Sequence, residues 1–117
     1  MAMIKLSTGE YPRQTYDPEE VMKATLRAFQ GITGVEGKPE GAAFDTGLAA
    51  EVAYALAAMM IEALPGVATN RDLRVMSEEA GTQILHYMRA FRDHHAETGR
   101  HPLERFGAVG IPAGAAN

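Results

Sequence analysis

Apolar residues are densest between Gly47 and Leu64, where two of the eighteen residues are charged. With about 100° of rotation per residue, this stretch forms a helix with a ridge of large side chains beside a face of alanines. The ridge, named the central ridge below, consists of Leu48, Val52, Leu56 and Met59. The alanine face consists of Ala49, Ala50, Ala53 and Ala57. A helix that is apolar almost all round is buried by its neighbours. We therefore expect a central helix with a narrow exposed strip of Glu51, Ala55, Ala58 and Glu62.

Two amphipathic helices are predicted, one on each side of this central helix in the sequence. An aspartate followed by a proline and two glutamates is a helix start signal, and it begins at Asp17. Thr69 or Asn70 begins the other helix, which ends before Gly99, because glycine adopts the left-handed conformation common at helix C-termini. The sequence thus predicts three helices with the approximate bounds 17–31, 46–64 and 70–98.

The segments outside these helices are predicted to be extended or irregular. Residues 1–16 form an N-terminal arm, in which Met3–Leu6 alternates like a short strand but has no evident partner. Residues 102–106 are compatible with a short fourth helix, and residues 107–117 form a small apolar C-terminal tail. The predicted fold is a single all-α domain over residues 1–117, with a three-helix core and an arm at each end.

The alanine face suggests how the central helix is covered. Three helices of one small chain are too few to cover every side of it, and small residues let a second helix approach closely. We therefore expect a homo-oligomer, most simply a two-fold dimer, that completes a four- to six-helix bundle through this face. Ala53→Leu or Ala57→Leu would overpack such a helix contact and destabilise the protein by about 1–3 kcal/mol.

Charge and composition narrow the classes of partner. The net charge of −4 is unlike that of nucleic-acid binders, which carry a basic stripe. The central helix is near the lower length limit of a membrane span, and each of its two glutamates would cost about 2.5–3.5 kcal/mol in a bilayer. We therefore expect neither nucleic acid nor membrane as a partner. The N-terminus lacks the long apolar region of a signal peptide, so the expected location is cytoplasmic.

Three histidines near the end of the third helix are the densest group of potential metal ligands. A zinc-binding helix needs two histidines four residues apart on one face, whereas adjacent histidines point about 100° apart. The competing interpretation is a solvated polar surface, to which Glu79, His86, Asp93 and Glu97 also belong. The candidate ligands are His94, His95 and His101.

The central helix supplies the candidates for a small-ligand pocket, which are Glu51, Tyr54 and Glu62. The two glutamates are roughly 16 Å apart along the helix, so they cannot act on one bond unaided. Each of them is more simply explained by contact with water or by an ion pair. Tyr54 borders Glu51 and is equally compatible with a tyrosine at the edge of the core.

No catalytic residue and no cofactor is predicted. The chain has no cysteine, so disulfides and thiol chemistry are excluded, and it has no GxSxG motif for a serine nucleophile. The sequence favours a small helical structural or interaction protein that acts as a homo-oligomer. Two alternatives remain open at this point, a helical domain that binds a small ligand or a metal, and an enzyme of an unfamiliar type.

Overall fold

The computed structural model describes residues 3–33, 42–101 and 108–111. This part of the chain is mostly helical and also contains two small sheets of two strands each. In chain order the elements are β1 (Met3–Leu6), β2 (Gly9–Pro12), α1 (Pro18–Thr33), β3 (Ala42–Asp45), α2 (Thr46–Glu62), α3 (Asn70–Thr98) and β4 (Ala108–Ile111). The three predicted helices are confirmed to within about two residues at each end. The short fourth helix proposed at 102–106 lies outside the described residues.

The helix ends follow from local side-chain chemistry, as the sequence predicts. Asp45 is the N-cap of α2, and its carboxylate accepts a hydrogen bond of 3.0 Å from the Leu48 amide. Thr69 begins α3 as half of a capping box, in which Thr69 and Asp72 each bond the backbone of the other. Gly99 ends α3 with a φ of 74°, in the left-handed region where a side chain would be strained.

The N-terminal arm is a β-hairpin, so the prediction that β1 has no partner was wrong. β1 pairs antiparallel with β2, and Ile4 lies opposite Tyr11. β2 contains both a glycine and a proline and does not alternate in polarity, which is why its sequence did not indicate a strand. The two-residue connection through Ser7 and Thr8 sets the register of this hairpin.

The second sheet joins distant parts of the chain. β3 pairs in parallel with β4, with Ala42 opposite Ala108 and Asp45 opposite Ile111. Part of the predicted C-terminal tail is therefore a strand of this chain. The all-α prediction is confirmed in its coarse form, a mostly helical fold, to which the structure adds two small sheets. Pairing over such a sequence separation is set by tertiary structure, because neither segment carries a strong strand pattern.

The helices are only partly covered in the described structure. The β1–β2 hairpin packs on α3, and α1 packs on α2. Within residues 3–32 and 45–101, Asp72 of α3 is the only buried residue. The expected burial of α2 is therefore wrong for a single chain, because none of its residues is buried. The radius of gyration is 16.5 Å, whereas a compact domain of this length has about 13 Å.

Candidate functional site

The most prominent uncovered surface is the central ridge of α2. Leu48 and Met59 are 64% and 63% exposed, and Val52 and Leu56 are 36% and 37% exposed. Met60 borders the ridge and is 63% exposed. An apolar face of this kind costs free energy in water, and exposed contiguous apolar patches mark interaction sites.

The alanine face of α2 is less accessible than the central ridge. Ala49, Ala50 and Ala57 are half-buried, and Ala53 is exposed. α1 packs on α2 in the same chain. Association of two copies through the alanine face therefore stays a prediction. The larger side chains of the central ridge expose more apolar surface than these alanines do.

A second apolar surface lies on the C-terminal half of α3. From Gly81 to Thr98, Phe91 is half-buried and every other residue is exposed. Tyr87 stacks on Phe91 with their ring centroids 6.3 Å apart, which keeps both aromatic side chains on one side of the helix. We name the exposed apolar residues of this half the α3 stripe; they are Ile84, Leu85, Tyr87 and Met88.

The N-terminal half of α3 is different, because the hairpin is fixed to it by a buried carboxylate. Asp72 accepts hydrogen bonds from the amide of Ser7 at 2.7 Å and from its hydroxyl. The amides of Ala68 and Thr69 donate to the same carboxylate at 3.0 and 3.1 Å. The bonds from Ser7, chiefly that of its hydroxyl, lower the pKa of Asp72 below the usual aspartate range, although burial acts in the opposite direction.

An ion pair extends this attachment along α3. Nη2 of Arg13 donates to Oε1 of Glu79 at 2.6 Å, and Nε donates to Oε2 at 3.0 Å. This fork raises the pKa of Arg13 through the hydrogen bonds and the charge of Glu79. Glu79 was expected on the solvated face of α3, and that expectation was wrong because the arm folds back over this position.

A close approach of two segments completes the attachment. The hydroxyl of Thr8 donates to the Gly66 carbonyl at 2.7 Å and lies 2.9 Å from the hydroxyl of Tyr11. A Cβ on Gly66 would lie 2.9 Å from the Tyr11 ring. A side chain at position 66 would therefore have to displace the Tyr11 ring.

The predicted pocket residues lie at the surface of α2. Glu51, Tyr54 and Glu62 are all exposed, and Tyr54 has 54% of its surface accessible. The two glutamates lie beside the central ridge rather than facing each other. Their arrangement is that of charges bordering an apolar surface.

Two of the three candidate metal ligands come together at the C-terminal end of α3. The left-handed turn at Gly99 returns the chain, so that the rings of His95 and His101 lie edge to face with centroids 5.9 Å apart. His94 is exposed on a different side of the helix. Within residues 3–33, 42–101 and 108–111, no three or more histidine, aspartate or glutamate side chains form a group that could hold a metal ion.

Several residues that shape these surfaces were not identified from the sequence. Ser7, Thr8 and Arg13 act across more than fifty residues of separation, which no local pattern reveals. The capping box at Thr69 and Asp72 was the one local signal near this attachment.

These features define a mostly helical protein with a docked hairpin and two uncovered apolar helix faces. In the part of the chain that the structure describes, no helix has both the length and the hydropathy for crossing a bilayer. No family model matches the chain, and no curated protein or solved structure shows significant similarity to it.

Proposed function

We propose that this protein is a structural or interaction protein that functions as a homo-oligomer, most simply a two-fold dimer. The observation that carries this proposal is the exposure of large apolar side chains along both α2 and α3. Burying one such side chain contributes about 1.5–3 kcal/mol, so covering a row of them is a strong driving force for association.

The size of the exposed surface supports the same proposal. The chain exposes 8792 Å², whereas a compact monomer of its mass exposes about 6200 Å². The excess of about 2600 Å² is comparable to the area that each subunit buries in a large obligate dimer.

The experiment that tests this proposal compares two neighbouring positions of α2. Light scattering and native mass spectrometry of the unmodified chain should give twice the chain mass of 12.6 kDa. Met59→Glu places a charge on the central ridge and should shift the population to monomer, because an unpaired carboxylate resists burial in an interface.

Ala58→Glu is the matched control, because it adds the same charge to the strip between Glu51 and Glu62. This variant should keep the oligomer mass of the unmodified chain. A monomer for the unmodified chain, or equal loss of oligomer in both variants, would contradict the proposal.

A further inference from the structure

We propose that the central ridge of one copy packs against the α3 stripe of a second copy, so that each chain contributes both surfaces in a reciprocal two-fold exchange. This inference rests on the proposed homo-oligomer and specifies which surfaces meet. Its basis is the exposure, length and charge of the two helix faces.

The first argument is that neither surface is covered within its own chain. Leu48 and Met59 of the central ridge are exposed, and so are Ile84 and Met88 of the α3 stripe. The α3 of one chain therefore does not cover its own α2 in this structure. In a dimer with a two-fold axis, α2 of the first copy contacts α3 of the second copy, and α2 of the second copy contacts α3 of the first copy. The two contacts are identical by symmetry.

The second argument is that the two helix segments that carry these surfaces match in length. α2 has 17 residues and is about 25 Å long at 1.5 Å per residue. The hairpin attachment occupies α3 as far as Glu79. The remaining part, residues 81–98, is about 27 Å long by the same measure. The uncovered segment of α3 is thus long enough to lie alongside the whole of α2.

The third argument is charge. α2 carries Glu51 and Glu62 beside the central ridge and has no lysine or arginine. On α3, Arg92 lies between Met88 and Leu85 around the helix, and Arg89 lies about 40° beyond Leu85. The acidic residues of this half, Asp93 and Glu97, lie about 160° from the centre of the stripe. Packing of α2 parallel to α3 therefore places carboxylates near guanidinium groups.

The rival arrangement, in which α2 packs on the α2 of the second copy, lacks this complementarity. It brings four carboxylates together without a cation from either helix, and like charges across an interface disfavour association. It also leaves the α3 stripe in water. Charge borders of opposite sign are the feature that selects partner helices in coiled coils.

A charge-exchange experiment tests the pairing directly. One variant combines Arg89→Glu and Arg92→Glu, and the other combines Glu51→Arg and Glu62→Arg. The dimer of each variant alone should have a dissociation constant at least roughly tenfold higher than that of the unmodified chain, because its α2 and α3 then carry charges of the same sign. An equimolar mixture should recover dimers that contain one copy of each, since all borders are again complementary.

The same experiment separates the inference from the proposed function. If the unmodified chain is a dimer but the variant with Arg89→Glu and Arg92→Glu self-associates normally, α3 is not at the interface. The inference is then wrong, and the proposed homo-oligomer stands. If the unmodified chain is a monomer, both are wrong.

Thiol crosslinking provides an independent measurement, because the chain has no cysteine of its own. Met59→Cys and Met88→Cys chains, one isotopically labelled, are mixed and treated with a bismaleimide that spans the about 8–10 Å between packed helices. The expected product joins one chain of each variant. Ala58→Cys mixed with Met88→Cys is the control and should yield much less of it.

Two other crosslinking products would overturn the inference. A dominant product between two Met59→Cys chains would show that α2 meets α2. A single chain that carries both Met59→Cys and Met88→Cys is treated in the same way. A crosslink within this chain, at the mass of a monomer, would show that α3 covers α2 of its own chain.

Discussion

At the scale of single residues, Asp72 is the best-defined position in the described structure. Its carboxylate receives hydrogen bonds from three amides and one hydroxyl, and it belongs at the same time to the capping box of α3. One side chain thus begins a helix and holds the hairpin turn against it. An ionised carboxylate suits both tasks, because it only accepts hydrogen bonds and lies at the positive end of the helix dipole.

Replacing Asp72 should change how stability depends on pH. Because the pKa of Asp72 is lowered in the folded state, its contribution is complete above the unfolded value of about 3.9. That contribution is lost as pH falls from there toward the folded pKa. Asp72→Asn should therefore lower the free energy of unfolding most at neutral pH, and the difference from the unmodified chain should shrink below about pH 4.

Urea denaturation between pH 2.5 and 7 measures this difference. Asp93→Asn removes a carboxylate from the exposed part of the same helix and serves as the control. A loss of stability in Asp72→Asn that is the same at all pH values would show that the ionised carboxylate is not what holds the hairpin turn.

At the scale of elements, the β1–β2 hairpin and the N-terminal half of α3 form one attached unit. The contacts of Ser7, Thr8 and Arg13 follow one another along the arm and reach α3 and the turn before it. A two-stranded hairpin is only marginally stable in isolation. Its order therefore depends on these contacts rather than on its own strand pairing.

The close approach at Gly66 offers a test of that attachment. Gly66→Ala should destabilise the protein by about 1 kcal/mol, at the low end of overpacking costs, because the added methyl group displaces the Tyr11 ring, which can move. In the Tyr11→Ala background the same substitution should cost much less. Thermal unfolding of the four proteins of this cycle measures the coupling. Equal costs in the two backgrounds would show that Tyr11 does not occupy this space.

At the scale of the whole molecule, folding and association are one process in the proposed homo-oligomer. A chain whose helices are covered only in the oligomer has a stability that depends on its concentration. The radius of gyration and the accessible surface both exceed those of a compact monomer, as the proposed association leads us to expect.

The melting temperature should consequently rise with protein concentration. A tenfold increase in concentration adds about 1.4 kcal/mol to the stability of a dimer, which corresponds to about 3–6 °C for a protein of this size. Differential scanning calorimetry over a hundredfold concentration range measures this shift. Met59→Glu should melt at a lower temperature that is independent of concentration. A constant melting temperature for the unmodified chain would contradict association during folding.

The sequence by itself determined the helices of this protein, because helix formation is read from neighbouring residues. The apolar period, the N-caps at Asp45 and Thr69 and the left-handed glycine at position 99 all act within one or two turns. The same local reasoning identified the central ridge and the charges beside it, though not that the ridge is uncovered in the single chain.

Only the tertiary structure decided the pairing of the strands, the hairpin attachment and the environment of each site candidate. Arg13 and Glu79, or β3 and β4, are separated by more than sixty residues, so their pairing depends on the path of the whole chain. The meeting of His95 and His101 likewise required the turn at Gly99, whereas Glu51 and Glu62 remained apart on one helix. Local sequence specifies backbone geometry within a few residues, while contacts between distant residues depend on which surfaces the fold brings together.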